Sequence, residues 1–132
     1  MKTYRIPLVV LALIVAALAC QGSLSTANIA NAYTTANPNG GSPTTLFAPD
    51  QVFYAIVELK NAPDDTTVKA VWTAVNVEDV EPNTYLTETS LTSGDGTLTF
   101  ELSNDALWPA GQYKVDLYLN DKLDRSLTFA VR

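Results

Sequence analysis

Residues 44–132 of this 132-residue chain predict an all-β sandwich of about seven antiparallel strands. Two observations carry that expectation. Side chains alternate between apolar and polar along most of the segment, and clusters of Gly, Pro, Asn and Asp interrupt the alternation at short intervals. A third observation is negative: no run of ten residues repeats its apolar positions at helical spacing. A domain of this length buries about 60 to 65% of its unfolded surface, enough to fold without disulfides.

The elements follow in order. Leu46 and Phe47 make a short extended segment. Gln51 to Asn61 is rich in Val, Phe, Tyr and Ile and ends at the turn cluster Asn61-Ala62-Pro63-Asp64-Asp65. Val68 to Val77 sets Val68, Ala70, Trp72 and Ala74 against Val71, Thr73 and Val75; with both faces fairly apolar it reads as a central strand. Thr84 to Leu91 alternates Tyr85, Thr87 and Thr89 with Leu86, Glu88 and Ser90, which suits an outer strand with one wet face. After the turn at Ser93-Gly94-Asp95-Gly96, Thr97 to Ser103 points Leu98, Phe100 and Leu102 inward. Gln112 to Leu119 sets Tyr113, Val115, Leu117 and Leu119 against Lys114, Asp116 and Tyr118. Asn120-Asp121 is a two-residue hairpin turn, and Arg125 to Val131 places Leu127, Phe129 and Val131 inside.

Two segments precede this domain. Lys2 and Arg5 flank an apolar run from Leu8 to Ala19. At about 1.5 Å per residue the run reaches roughly 18 Å, short of a ~30 Å bilayer core, so it reads as the hydrophobic region of a secretory signal over residues 1–19. Gln21 to Pro43 carries no charge, and Leu24, Ile29 and Tyr33 are its only large apolar residues. That composition reads as a flexible linker over residues 20–43, spanning roughly 25 Å as a coil, with turn formers concentrated at 37–43. A short helix over 27–36 is the alternative, but its apolar positions are too sparse for a packed face.

Two resemblances rest on these residues. Ala16-Ala17-Leu18-Ala19-Cys20 resembles the lipobox of bacterial lipoprotein signal peptides, in which the Cys receives diacylglycerol before cleavage. Ala19 and Cys20 fit the pattern, while Ala17 and Leu18 reverse its commonest order. The resemblance implies an exported protein lipid-anchored through Cys20 to a bacterial cell membrane or outer membrane, facing the periplasm or the exterior. Two acyl chains hold such an anchor durably. Cleavage removes Lys2 and Arg5 and leaves six basic against fourteen acidic side chains, a net −8.

The second resemblance is to immunoglobulin-like domains. Trp72 follows Val57 by fifteen residues, as the strand-C Trp follows the strand-B core position, and Val115 takes the strand-F position. Tyr113, two residues before Val115 and just after Trp108-Pro109-Ala110-Gly111, resembles the tyrosine corner. Residues 108–131 resemble the final hairpin of exported bacterial immunoglobulin-like modules. Val57 and Val115 replace the usual Cys pair, so no disulfide joins the sheets, and a fibronectin-III-like variant fits equally.

Chemistry is sparse. The absence of His excludes Ser-His-Asp and Cys-His machinery, and one Cys supplies neither a thiolate zinc site nor a cluster. The net charge of −6 argues against nucleic acid. Asp64 with Asp65, the group Glu78, Asp79 and Glu81, and Asp95 lack the spacing of a calcium loop, so no metal and no cofactor is expected. The expected function is non-catalytic contact with an envelope protein or a glycan. Trp108, Tyr118 and Tyr85 are the candidate binding residues. A carbohydrate-binding module using Trp108 and Tyr platforms is one alternative, and an immunoglobulin-like protease inhibitor acting through its end loops is another. Trp108 has a competing role as a cap on one end of the sandwich.

The leader makes a direct prediction. Labelled fatty acid is incorporated at Cys20, and mass spectrometry of the mature chain finds diacylglycerol on that residue; Cys20→Ser removes the label. A free Cys20 thiol in the mature protein would refute the anchor.

Overall fold

A computed structural model describes residues 26–132. The signal segment and the Cys20 lipid site lie outside the described residues. Within them the regular structure is β, and no helix is long and apolar enough to cross a membrane.

Eight strands follow one another: β1 (Asn28–Thr35), β2 (Leu46–Phe47), β3 (Phe53–Lys60), β4 (Thr66–Val77), β5 (Thr84–Ser93), β6 (Gly96–Leu102), β7 (Gly111–Leu119) and β8 (Lys122–Val131). They form a three-stranded sheet, β1-β3-β6, and a five-stranded sheet, β2-β8-β7-β4-β5. All pairings are antiparallel except β2 with β8. The expected immunoglobulin-like sandwich is therefore what the chain adopts. Its fourth long strand, β5, joins β4 rather than β6, which departs from the constant-type arrangement of four strands against three.

Most inward positions read from alternation are buried, while Leu98, Leu102, Leu119 and Leu127 are half-buried and pack against that core. Phe53, Ala55, Val57 and Leu59 of β3 meet Val68, Ala70, Trp72 and Ala74 of β4 and Tyr113, Val115 and Leu117 of β7. Trp72 sits opposite Val115 in the β4–β7 ladder. The Asn120-Asp121 turn takes φ of 48° and 67°, the left-handed pair of a type I′ hairpin, where Asn and Asp are tolerated. Asn120 Oδ1 also accepts from the Thr67 N–H at 3.0 Å, tying this turn to the start of β4.

The domain starts earlier than composition suggests. Residues 28–35, expected within the linker, form β1 and pair with β3 from Asn28↔Lys60 to Thr35↔Tyr54. The reason is that an edge strand draws much of its stability from main-chain pairing and needs little apolar surface. Ile29 and Thr34 are buried and Ala32 packs beside them, and that suffices once β3 offers its edge. Residues 36–45 then carry the chain from one sheet to the other. They contain the expected turn and end in β2, with Ala130 N–H donating to Thr45 O at 2.8 Å.

One end of the sandwich gathers Thr26, the 61–65 and 94–95 turns and the Asn120-Asp121 hairpin. The opposite end carries the 48–52, 78–83 and 103–110 loops.

A fragment beginning at residue 44 lacks β1 and exposes both Ile29's pocket and the β3 edge. We expect it to lose at least about 3 kcal/mol in urea unfolding relative to a chain beginning at residue 26. Equal midpoints would show that β1 contributes nothing.

Candidate functional site

The three residues expected to bind separate into one that is buried and two that are not. Trp108 precedes Pro109 in the β6–β7 loop and is only 9% exposed. Its ring stacks on Phe53 with centroids 4.4 Å apart and planes at 19°, and its Nε1–H donates to Gln51 O at 3.0 Å. Its main-chain N–H donates to Pro49 O at 2.8 Å. Trp108 is therefore a cap and no stacking platform, which corrects its assignment as a binding residue and removes the carbohydrate site built on it. An indole of this size finds more contact against Phe53 and Tyr113 than it would in water.

The tyrosine corner lies beside it. Tyr113 Oη donates to Pro109 O at 2.7 Å, pinning the loop that carries Trp108. Gly111 lets the start of β7 lie close against the end of β4. It sits at φ +147°, and a Cβ there would meet Asn76 O at 2.5 Å and Val77 Cα at 2.6 Å.

Tyr118 and Tyr85 share a surface, the outer face of the five-stranded sheet. The ladders place Tyr118 beside Lys69 and Leu123 at one end, and Tyr85 beside Thr73 at the other. Two strand spacings and four residues along β4 separate the rings by about 17 Å. Tyr85 is 57% exposed and Leu123 is 52% exposed. Lys69 Nζ lies 4.7 Å above the Tyr118 ring, a cation–π contact that holds the lysine stem across the face. Between the two tyrosines, Lys114 pairs with Asp116 at 3.3 Å, and Ser126 Oγ donates to the same carboxylate.

Tyr85 Oη donates to Glu88 Oε1 at 3.3 Å. Its phenol is held above the ordinary value, by desolvation first and then by the charge and hydrogen bond of Glu88. A bulge in β5, where Trp72↔Thr87 is followed by Thr73↔Tyr85, brings Tyr85 and Glu88 onto one face. Strict alternation had set them on opposite faces. Leu123 was missed because it follows a turn and lacks apolar neighbours in sequence. Only its ladder partner Tyr118 marks it as part of a patch.

Two concavities lie elsewhere. A cleft of about 400 Å³ opens at the seam between β1 and β8, over Ala32, Thr34, Ser126 and Leu127. A more polar hollow of about 580 Å³ lies on the outer face of the three-stranded sheet, under the 37–41 turn. Asp64 and Asp95 do come to the same end of the sandwich, where Asp95 Oδ1 accepts from Ala62 N–H at 2.7 Å. Among the described residues no three His, Cys, Asp or Glu side chains converge as metal ligands.

Neither a family model nor a curated protein sequence matches the chain. Solved structures are similar in fold. An immunoglobulin-like protein from Pseudomonas aeruginosa aligns over 83% of this chain and 99% of its own, with 12% identity and a TM-score of 0.53. The alkylpurine DNA glycosylase AlkC of Pseudomonas fluorescens, bound to DNA containing an abasic site analog, aligns over 82% of this chain with 15% identity and a TM-score of 0.54. This chain spans 31% of that glycosylase. A β-glucosidase involved in saponin metabolism from intestinal bacteria aligns over 83% of this chain and 16% of its own, at 15% identity and a TM-score of 0.51. Similarity at this level shows a shared immunoglobulin-like sandwich and nothing of activity.

The capped end makes a pH prediction. Burial raises the Tyr113 phenol above its ordinary value. The folded state therefore holds this proton at pH values where the unfolded chain releases it, so its contribution is complete below the unfolded pKa of about 10 and is lost as pH rises through the folded value. Tyr113→Phe should cost about 1 kcal/mol at neutral pH by removing the bond to Pro109 O, and should flatten the alkaline loss of stability. An unchanged alkaline slope in denaturant titrations would refute the assignment.

Proposed function

We propose that this protein is an exported lipoprotein, held at a bacterial membrane through Cys20, whose immunoglobulin-like domain makes non-catalytic contact with an envelope protein. The observation that carries the contact is the outer face of the five-stranded sheet. Leu123 and Tyr85 stand exposed there and Tyr118 half-exposed, around Lys69 and Lys114, on an otherwise acidic domain. Aromatic side chains that reach solvent from a rigid sheet bring large contact area at little cost in conformational entropy.

The anchor is consistent with this use. Thr26 enters the sandwich at the end that carries Asp64, Asp65, Asp95 and Asp121, six residues after Cys20. Six residues reach at most about 21 Å, so the acidic turns face the headgroups while both sheet faces point sideways. Anionic lipid repels these turns over roughly a Debye length of 8 Å, which holds the domain off the headgroups on its tether.

The non-catalytic reading has geometric support as well. Glu58 and Glu101 share the outer face of the three-stranded sheet but stand about 14 Å apart, beyond the reach of a glycosidase pair.

A photo-crosslinking side chain at position 118 of the full-length protein, in living cells, should give a discrete adduct. The same group at position 95 should give none, and Leu123→Ser should abolish the adduct. Equal crosslinking from both positions would remove the proposed face.

A further inference from the structure

We propose that the hollow on the outer face of the three-stranded sheet binds a residue of a neutral saccharide. This site uses the sheet opposite the proposed protein-contact face and does not depend on that reading.

The ladders build the floor. Asn31, Glu58 and Thr97 form one row across β1, β3 and β6, and Tyr33, Ile56 and Thr99 form the next. Strands ~4.8 Å apart and rows ~6.8 Å apart give a patch about 10 by 7 Å, with polar groups around the Tyr33 ring. The 37–41 turn stands over one side as a wall and brings Asn39 to the same hollow, whose volume is about 580 Å³. That volume lies within the range of small-ligand sites.

The wall is held in place by its own set of side chains. Thr35 Oγ1 donates to Gly41 O at 2.7 Å and accepts from the Asn37 N–H at 3.1 Å. Asn37 Oδ1 accepts from the Asn39 N–H at 3.0 Å, and Tyr33 Oη accepts from the Gly41 N–H at 2.8 Å. Gly40 and Gly41 both sit at φ +80°, and a Cβ at Gly40 would lie 3.2 Å from Tyr33 Oη. The backbone thus lies close over Tyr33 and Ile56, and Ile56 is only 3% exposed although it points out of the sheet.

Beside this structural set stands a second that the fold does not use. Among the described residues the side chains of Asn31, Asn39, Glu58, Thr97 and Thr99 take part in no hydrogen bond, yet all line the hollow. Two carboxamides, two hydroxyls and a carboxylate supply both donors and acceptors beside the half-buried Tyr33 ring. Vicinal hydroxyls donate to a carboxylate and exchange bonds with carboxamides, while the C–H face of a sugar ring fits the open part of the half-buried Tyr33 ring. Glu58 is the only charge lining the hollow, so an anion is repelled and a divalent cation lacks ligands. A peptide strand would dock on a sheet edge through its main chain, whereas these groups lie on the face.

The test uses the full chain in a zwitterionic, sugar-free detergent and four probes: cellotetraose, chitotetraose, mannotetraose and galactotetraose. At least one should shift the Asn31 and Asn39 side-chain amide resonances, with a dissociation constant measurable by calorimetry. Thr97→Val with Thr99→Val keeps shape and strand preference and should weaken that binding tenfold or more, as should Glu58→Gln. Thr89→Val, on β5, should leave it unchanged. The proposal is overturned if no probe shifts these resonances at millimolar concentration, if the Thr97/Thr99 variant binds like the parent, or if the shifts map to the five-stranded sheet.

Discussion

The packing of Phe53 against the opposite sheet is the contact on which the sandwich closes. From the first position of β3 its ring meets Phe47, Trp72, Trp108, Tyr113 and Phe129 at centroid distances of 4.4 to 6.4 Å. All but Trp108 come from the five-stranded sheet, and Trp108 comes from the loop that leads into it. Where a disulfide could have bridged the sheets, Val57 and Val115 stand instead, both fully buried. Stacked and edge-to-face rings do the joining, and such pairs add about 0.5 to 1.5 kcal/mol each beyond their buried area. The far end of the core is aliphatic, built from Leu59, Val68, Leu117 and Ile29.

That concentration of rings at one end shapes what the surface has to work with. Trp72 and Trp108 are both taken into the core, and Tyr113 is bound to Pro109 O. The aromatic groups left for recognition are tyrosines on the sheet faces. The two faces differ in chemistry. The five-stranded sheet presents Tyr118, Leu123 and Tyr85 near Lys69 and Lys114, the surface on which the proposed protein contact rests. The three-stranded sheet presents amides, hydroxyls and one carboxylate around Tyr33 and Ile56.

The 36–45 crossover couples fold to surface. It must carry the chain from β1 in one sheet to β2 in the other, and Thr34 Oγ1 fastens its end by donating to Thr44 O at 2.6 Å. On the way it folds over the outer face of the three-stranded sheet and covers Ile56. One connection therefore covers an apolar outward residue and walls a hollow, so the same side-chain hydrogen bonds that hold the turn also fix the shape of that hollow.

The positions that alternation can reach were legible in the residues alone. Leu98, Phe100 and Leu102, the Tyr113-Val115-Leu117 run and the Asn120-Asp121 hairpin depend on neighbours two to four residues away, and local periodicity reports them. The immunoglobulin-like class was legible as a resemblance carried by Val57, Trp72, Tyr113 and Val115. Three features depended on partners far along the chain. β1 became a strand because β3 offered an edge, although Ser, Thr, Asn and Ala dominate its neighbourhood. Trp108 became a cap because Phe53 and Gln51 O lie across the fold from it. Tyr85 and Leu123 joined surface patches through a bulge and a ladder that no local pattern encodes. Sequence by itself determined the faces of the strands without bulges and the sandwich class, because both are written in short-range alternation. Tertiary structure alone decided where the domain begins and which aromatics remain outside, because main-chain pairing and ring stacking are settled by residues that meet only once the sheets close.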